Sequence, residues 1–243
     1  MRGHPKILGV IPARLESTRL PGKVLLMIGN RPMLQWVYDR ARESPLLNEL
    51  YVATDSEKVQ QCCLERKIPV ILTQQHPSGS DRLYEVMQRT SGEIYVNIQG
   101  DEPTIRAHHI ESMLRPILDG NTQVSTLKVA IDGTAAQNPN IVKVVTDHRS
   151  RALYFSRAPI PFGKDAAGNI QYYKHIGIYG YTRAALDLFH NLPQSPLEQY
   201  EKLEQLRFLE NGITIMVAET LQDTIGVDTE ADLKRAAAFL IAE

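Results

Sequence analysis

Four short apolar runs in the first half of the chain limit the available folds more than any other feature. They are Ile7–Pro12, Leu50–Ala53, Pro69–Leu72 and Ile94–Ile98, separated by stretches of helical period such as Met33, Val37 and Ala41. A run that is apolar throughout, without alternation, suits a strand covered on both faces by helices. Strand, loop and helix repeated in that order predict a parallel, doubly wound sheet with right-handed crossovers. In such sheets ligands bind outside the carboxyl ends of the strands, so the loops there are the places to look for chemistry.

Two of these loops are chemically loaded. The fourth run ends abruptly in Gln99-Gly100-Asp101-Glu102-Pro103. Gly100 permits close backbone approach and Pro103 stops the ladder, leaving Asp101 as a candidate ligand for a hard divalent cation on a phosphate-bearing substrate. The alternative is an acidic turn after a core strand. After the first run comes Ala13-Arg14-Leu15-Glu16-Ser17-Thr18-Arg19-Leu20-Pro21-Gly22-Lys23, with three cations and a glycine. It is no P-loop, because the first glycine of that motif is missing and Val24 follows Lys23. Side chains would neutralise phosphate here, Arg14 and Arg19 as forks and Lys23 as a point charge; a solvated basic loop is the alternative. After the third run, Ser78 and Asp81 have capping-box spacing and predict a helix start with free N–H groups. Arg82 falls in that first turn, where the dipole disfavours a cation, which suggests either a ligand or a surface ion pair.

The second half reads differently. Val124–Val129 and Ile141–Val145 are strands, Asp147–Ser150 a turn and Ala152–Phe155 a return strand, together antiparallel hairpin material. Ser156–Gly163 is a proline-fixed arm, and Lys174–Tyr181 alternates at strand period. This Tyr-rich excursion suits a dimer contact or a lid. Ser195-Pro196-Leu197-Glu198 predicts a helix running to about Glu210 and ending at Gly212, with Glu198, Glu201 and Glu204 on its solvated surface. Asp228 precedes a further capping box, Thr229 with Asp232. It reads as an ordinary cap neighbour, or as a second carboxylate for the Asp101 metal. His108 and His109 are consecutive, face different directions and read as structural or surface residues, not ligands. Adjacent Cys62 and Cys63 make neither a disulfide framework nor a zinc site, and point to a reducing cytoplasm.

A net charge of −1 gives no field for nucleic acid or anionic membrane, and no stretch approaches the roughly 20 apolar residues of a span. The N-terminus runs into a strand without a signal-peptide core, so a cytoplasmic location is expected. The 243 residues suit one large α/β domain or one domain with a small appendage.

Taken in order, the Arg14–Lys23 loop, Ser78-Gly79-Ser80-Asp81-Arg82, Asn97–Pro103, Ala152–Arg157 with Ile160-Pro161, Lys174–Tyr179, Leu203-Glu204-Gln205-Leu206-Arg207 and Gly226-Val227-Asp228-Thr229 resemble the 3-deoxy-manno-octulosonate cytidylyltransferases, or CMP-Kdo synthetases. The resemblance implies an α/β, Rossmann-like nucleotidyltransferase (GT-A-like) fold, a mixed sheet flanked by helices, with an antiparallel dimerisation or lid subdomain in the second half. A single domain over 1–243 would have a nucleotide-binding part to about residue 120 and a sugar-binding and dimerisation part beyond it. The implied reaction transfers CMP from CTP to the anomeric 2-hydroxyl of the acid sugar Kdo and releases pyrophosphate, in a cytoplasmic, Mg²⁺-dependent homodimer serving lipopolysaccharide synthesis. Ala13, Arg14, Arg19, Lys23, Ser78, Gly79 and Asp101 would bind the nucleotide. Asp101 and Asp228 would hold the metal, with Lys23 and Arg14 completing the catalytic set and a second metal ion helping pyrophosphate to leave. Arg82, Gln99, Arg157, His175, Tyr179, Glu204 and Gln205 would bind the sugar. Departures are Glu16 inside the phosphate loop, Ser80-Asp81 where Thr-Glu is frequent, and the motif-free segment 162–172. Sialate cytidylyltransferases carry a different first loop. A sister enzyme for an 8-amino analogue of Kdo and a non-catalytic nucleotide-binding regulator are the other functional classes.

Overall fold

The computed structural model describes residues 5–17, 19–164 and 170–242. Thr18 of the basic loop, residues 165–169 of the candidate lid and the chain termini lie outside the described residues. The chain forms two compact units, residues 1–111 with 224–243, and residues 112–223. The first unit thus ends at residue 111 and takes up the C-terminal segment, where the expected boundary lay near residue 120 with no return of the chain.

The first unit opens with β1 (Ile7–Pro12), a short 3₁₀ turn (Lys23–Leu25), β2 (Met27–Ile28), β3 (Arg31–Pro32) and α1 (Met33–Ala41). It continues through β4 (Glu49–Thr54), α2 (Glu57–Glu65), β5 (Val70–Leu72), α3 (Gly79–Gln88) and β6 (Ile94–Asn97). All four apolar runs are strands in the order β6-β1-β4-β5, all parallel. Ile7, Leu8, Val10 and Ile11 of β1 are buried on both faces, which is why that run shows no alternation. Ser56 and Ser78 cap α2 and α3, each hydroxyl accepting from a backbone N–H three residues on. Cys63 is buried inside α2, and burial pushes its thiol pKa up to about 12. Cys62 is only half-buried.

The helix α4 (Ala107–Leu118) carries the chain into the second unit. There β7 (Val124–Ile131) is followed by α5 (Gly133–Ala136), β8 (Lys143–Thr146), β9 (Ala152–Ser156), β10 (Tyr172–Thr182) and α6 (Arg183–Asn191). Then come α7 (Pro196–Glu201), α8 (Leu206–Glu210) and β11 (Met216–Thr220). β7 lies between β10, to which it is antiparallel, and β11, to which it is parallel, and β8 and β9 form the predicted hairpin.

The single helix expected over 196–210 is instead two. Lys202 adopts a left-handed conformation (φ 55°) and ends α7. The carbonyl of Glu201 accepts from Arg157 Nε (2.8 Å), so a tertiary partner takes the place of a helical N–H. Nor are the glutamates all solvated. Glu198 is 5 % exposed and meets Arg207 through two hydrogen bonds, 2.8 and 2.6 Å.

The chain closes on α9 (Glu230–Ile241), back in the first unit. Ala236 and Leu240 of α9 and the preceding Val227 are buried against Ile28 and Met33.

Candidate active site

The site of the first unit is built at the carboxyl edge of its parallel strands. β1 ends at Pro12 and β6 at Asn97, so the basic loop and the Gln99–Pro103 turn leave the sheet side by side. Gly100 is required there. A Cβ on it would stand 2.8 Å from the Pro12 carbonyl oxygen, an immovable backbone atom. Gly22, at φ 66°, supplies the left-handed residue from which the Lys23–Leu25 turn starts.

The C-terminal segment is stitched to the same place. Val227 N donates to Asp101 O (2.9 Å) and Ile225 N to Thr104 Oγ1 (2.7 Å). Gly226 lies so close to Glu102 that a Cβ would meet its Oε1 at 2.8 Å, which gives Glu102 a structural place. Thr229, not Asp228, caps α9, with Asp232 completing the box. The Asp228 carboxylate is therefore left to face Lys23 and Arg19.

The outcome is a compact charge cluster. Lys23 Nζ donates to an oxygen of Asp101, to Asp228 Oδ1 (3.0 Å) and to Val227 O (3.2 Å). Arg19 pairs with Asp228 Oδ2 at 2.9 Å. Burial alone would lower the Lys23 pKa; the charges and hydrogen bonds of Asp101 and Asp228 outweigh it, and the pKa rises above the ordinary lysine value. A cation thus lies between two hard carboxylates, the donor chemistry that a magnesium ion uses alongside water and substrate phosphate. Among the described residues no group of three or more His, Cys, Asp or Glu converges.

Beside this cluster lies a cavity of about 730 Å³ whose walls include Arg14, Arg19, Lys23, Lys58, Glu16 and Asp228. Glu16 is exposed, yet it is part of the wall. Lys58 comes from α2, and no loop motif could have announced it. Ala13 is buried and tied to Ala53 O (2.9 Å). A second cavity, about 360 Å³, is lined by Arg14, Asp55, His76 and Arg82 among others.

The remaining predicted residues of this unit sit as follows. The Ser78 hydroxyl is committed to Asp81, leaving its backbone and that of Gly79 at the start of α3. Arg82 is neither at the surface nor unpaired. It is 3 % exposed, with Thr73 Oγ1 at 2.6 Å and Asp55 Oδ1 at 3.2 Å. Gln99 leans back on Asn97 Oδ1 (3.4 Å).

The second unit holds the other expected sugar residues. His175 Nε2 is 2.9 Å from Thr126 Oγ1, and burial, helped by the Lys174 charge, drives its pKa down to about 3, so it is neutral. Its ring lies 5.3 Å from that of Tyr179. Burial, then Tyr181 and Glu204, raise the Tyr179 pKa well above the usual value. Gln205 Nε2 is buried without a hydrogen-bond partner among the described residues. Arg157 is anchored by Glu201 O and by Pro139 O (3.2 Å). The sequence reading took Glu198 and Glu201 for solvated surface and did not single out Lys58 or Lys143. The last had a signal: a lysine inside the apolar run Ile141–Val145 is out of place unless it is buried for a purpose.

A cytidylyltransferase family model matches residues 8–215. The 3-deoxy-manno-octulosonate cytidylyltransferase of Koribacter versatilis is 51 % identical over 234 residues, covering 96 % of this chain and 89 % of the relative. The chain belongs to the 3-deoxy-manno-octulosonate cytidylyltransferase family. The Escherichia coli protein of that name is 45 % identical over 240 residues, covering 98 % of this chain and 97 % of its own. A solved CMP:2-keto-3-deoxy-manno-octonic acid synthetase in complex with CTP superposes with a TM-score of 0.93 at 44 % identity, covering 98 % of this chain and 99 % of that one. The mixed α/β architecture is therefore the nucleotidyltransferase fold of that family.

Proposed function

We propose that this protein transfers the CMP unit of CTP to 3-deoxy-manno-octulosonate, releasing pyrophosphate. The observation that carries the proposal is the convergence of Asp101 and Asp228, distant in the chain, on one ammonium group beside a basic cavity. The anomeric 2-hydroxyl attacks the α-phosphorus. The new oxygen–phosphorus bond forms as the bond from the α-phosphorus to the bridging oxygen breaks, the hydroxyl proton passes to solvent water, and pyrophosphate departs with the electron pair. No protein nucleophile is needed, because such chemistry rests on positioning and charge neutralisation.

Arg14, Arg19, Lys23 and Lys58 supply that neutralisation along the cavity wall. Asp101 and Asp228 are suited to hold Mg²⁺, since both are hard oxygen donors already gathered around a cation. When bound, the ion would offset α-phosphate charge and lower the pKa of the attacking hydroxyl. The N–H groups at the start of α3, around Ser78 and Gly79, are placed to read a base edge. In the second unit a neutral His175 can accept or donate one hydrogen bond, and Gln205 offers an unmatched donor, both suited to sugar hydroxyls. We further infer a homodimer working in the cytoplasm; among the described residues no helix is long and apolar enough to cross a membrane.

The test is pyrophosphate release from CTP with and without Mg²⁺, with and without the sugar. Release should require both and should fail with ATP. Release without any acid sugar, or equal rates with ATP, would overturn the proposal. A higher kcat/KM for the 8-amino sugar would reassign the substrate, and binding of CTP without turnover would point to a regulator. Light scattering reads the dimer.

A further inference from the structure

Arg157 is held through both its backbone and its side chain. Its backbone N–H donates to Glu201 Oε2 (2.9 Å), its Nε to Glu201 O (2.8 Å) and its Nη1 to Pro139 O (3.2 Å). Its backbone carbonyl accepts from Lys143 Nζ at 2.6 Å. Lys143 is fully buried, and its ammonium also donates to Ile141 O (2.6 Å) and Asn138 O (3.0 Å). Glu201 completes the frame by accepting from Ser156 Oγ at 2.5 Å. A lysine buried at an apolar strand position is costly, and here it is used on three carbonyls that bracket one arginine. Three ionic groups result. Two cations and one carboxylate leave the frame with one net positive charge for an arriving anion. Arg157 Nη2 has no hydrogen-bond partner among the described residues.

We infer that Glu201 and Lys143 are positioning residues that fix Arg157 to receive the carboxylate of the acid sugar, an inference that rests on the activity proposed above. An arginine held at Nε and Nη1 presents Nη2 in a set direction, and it loses little side-chain freedom when a carboxylate arrives. Glu201 also ends α7 three residues before Glu204, so the same residue links the Arg157 arm to the turn that carries Glu204 and Gln205.

The test is a cycle between protein and ligand. Two unreactive probes, 2-deoxy-Kdo and the same sugar with its carboxylate reduced to a primary alcohol, are measured as inhibitors of the full-length enzyme. The ratio of their inhibition constants reports how much the carboxylate is felt. That ratio should fall at least about tenfold in Arg157→Ala, the loss expected for a charge-assisted hydrogen bond, and several-fold in Glu201→Ala and Lys143→Met. CTP affinity should stay within about twofold of wild type, which a general loss of structure would not allow. Glu201→Gln keeps one acceptor and should fall between wild type and Glu201→Ala; it also serves if the alanine variant does not fold. If Arg157→Ala loses the ratio while the Glu201 and Lys143 variants keep it, the inference is overturned and the sugar assignment stands. If Arg157→Ala itself keeps the ratio, the role of Arg157 falls and the inference falls with it, while CTP- and sugar-dependent pyrophosphate release remains as the separate measure of the activity.

Discussion

Replacing Arg207 with methionine should destabilise this protein by about 3–5 kcal/mol, because it leaves the Glu198 carboxylate buried with little to hold it. Both side chains of the pair are nearly inaccessible, 7 % and 6 % exposed. The guanidinium makes two hydrogen bonds to the carboxylate, reaches the Phe189 and Leu192 carbonyls at 3.4 Å and lies 4.1 Å over the Phe189 ring. Once Arg207 is truncated, Glu198 keeps the Ser195 N–H at 3.2 Å, which is too little for a buried charge. Glu198→Leu should cost a similar amount, since it strands the guanidinium and removes the acceptor of the capping box. The double variant removes both charges together and fills the space with carbon, so it should lie only about 1–2 kcal/mol below wild type. The coupling in this cycle is then at least about 4 kcal/mol. Urea unfolding followed by circular dichroism measures it, and the single variants should show Tm lowered by about 6–20 °C for a chain of this size. Additive losses in the double variant, or a cost below about 1 kcal/mol for Arg207→Met, would refute the argument that the pair is both buried and mutually dependent.

Three other outcomes can be measured directly. Asp101→Asn should lower the rate of pyrophosphate release at least about 100-fold through lost electrostatic stabilisation, while Tm changes little because Lys23 keeps Asp228 and Val227; near-normal turnover would remove Asp101 from the metal. Gly100→Ala forces a Cβ against the Pro12 carbonyl and should cost about 1–3 kcal/mol along with activity, whereas Gly133→Ala, with no neighbour closer than 4.0 Å, should be well tolerated. His175 gives a pH signature. Its folded pKa, about 3, lies below the ordinary histidine value of 6.5, so between those values the unfolded chain binds more protons and stability falls as pH falls. His175→Gln should therefore flatten the decline of Tm between about pH 7 and about pH 4, and an unchanged slope would contradict a buried, neutral imidazole.

Much of the fold was legible from local pattern. The four apolar runs announced the four parallel strands, because full burial removes any need for alternation. Ser78 and Thr229 marked helix starts, because a cap needs only residues three positions apart. The helix over 196–210 misled, because propensity cannot see Arg157 arriving from β9 to take the Glu201 carbonyl. Arg82 could be read as a surface ion pair for a similar reason: Asp55 and Thr73, its partners, come from the ends of other strands.

The site divides along the same line. The sequence by itself determined which chemistry was on offer: a basic loop after the first strand, a carboxylate after the fourth, and the resemblance of both to one enzyme family. Only the tertiary structure decided that Asp228 joins Asp101. That meeting depends on α9 burying Ala236 and Leu240 against Ile28 and Met33, and on Val227 N reaching Asp101 O. Likewise Glu201, Lys143 and Lys58 gain their meaning from what they touch, and no spacing along the chain encodes a contact between residues brought together by a packed core.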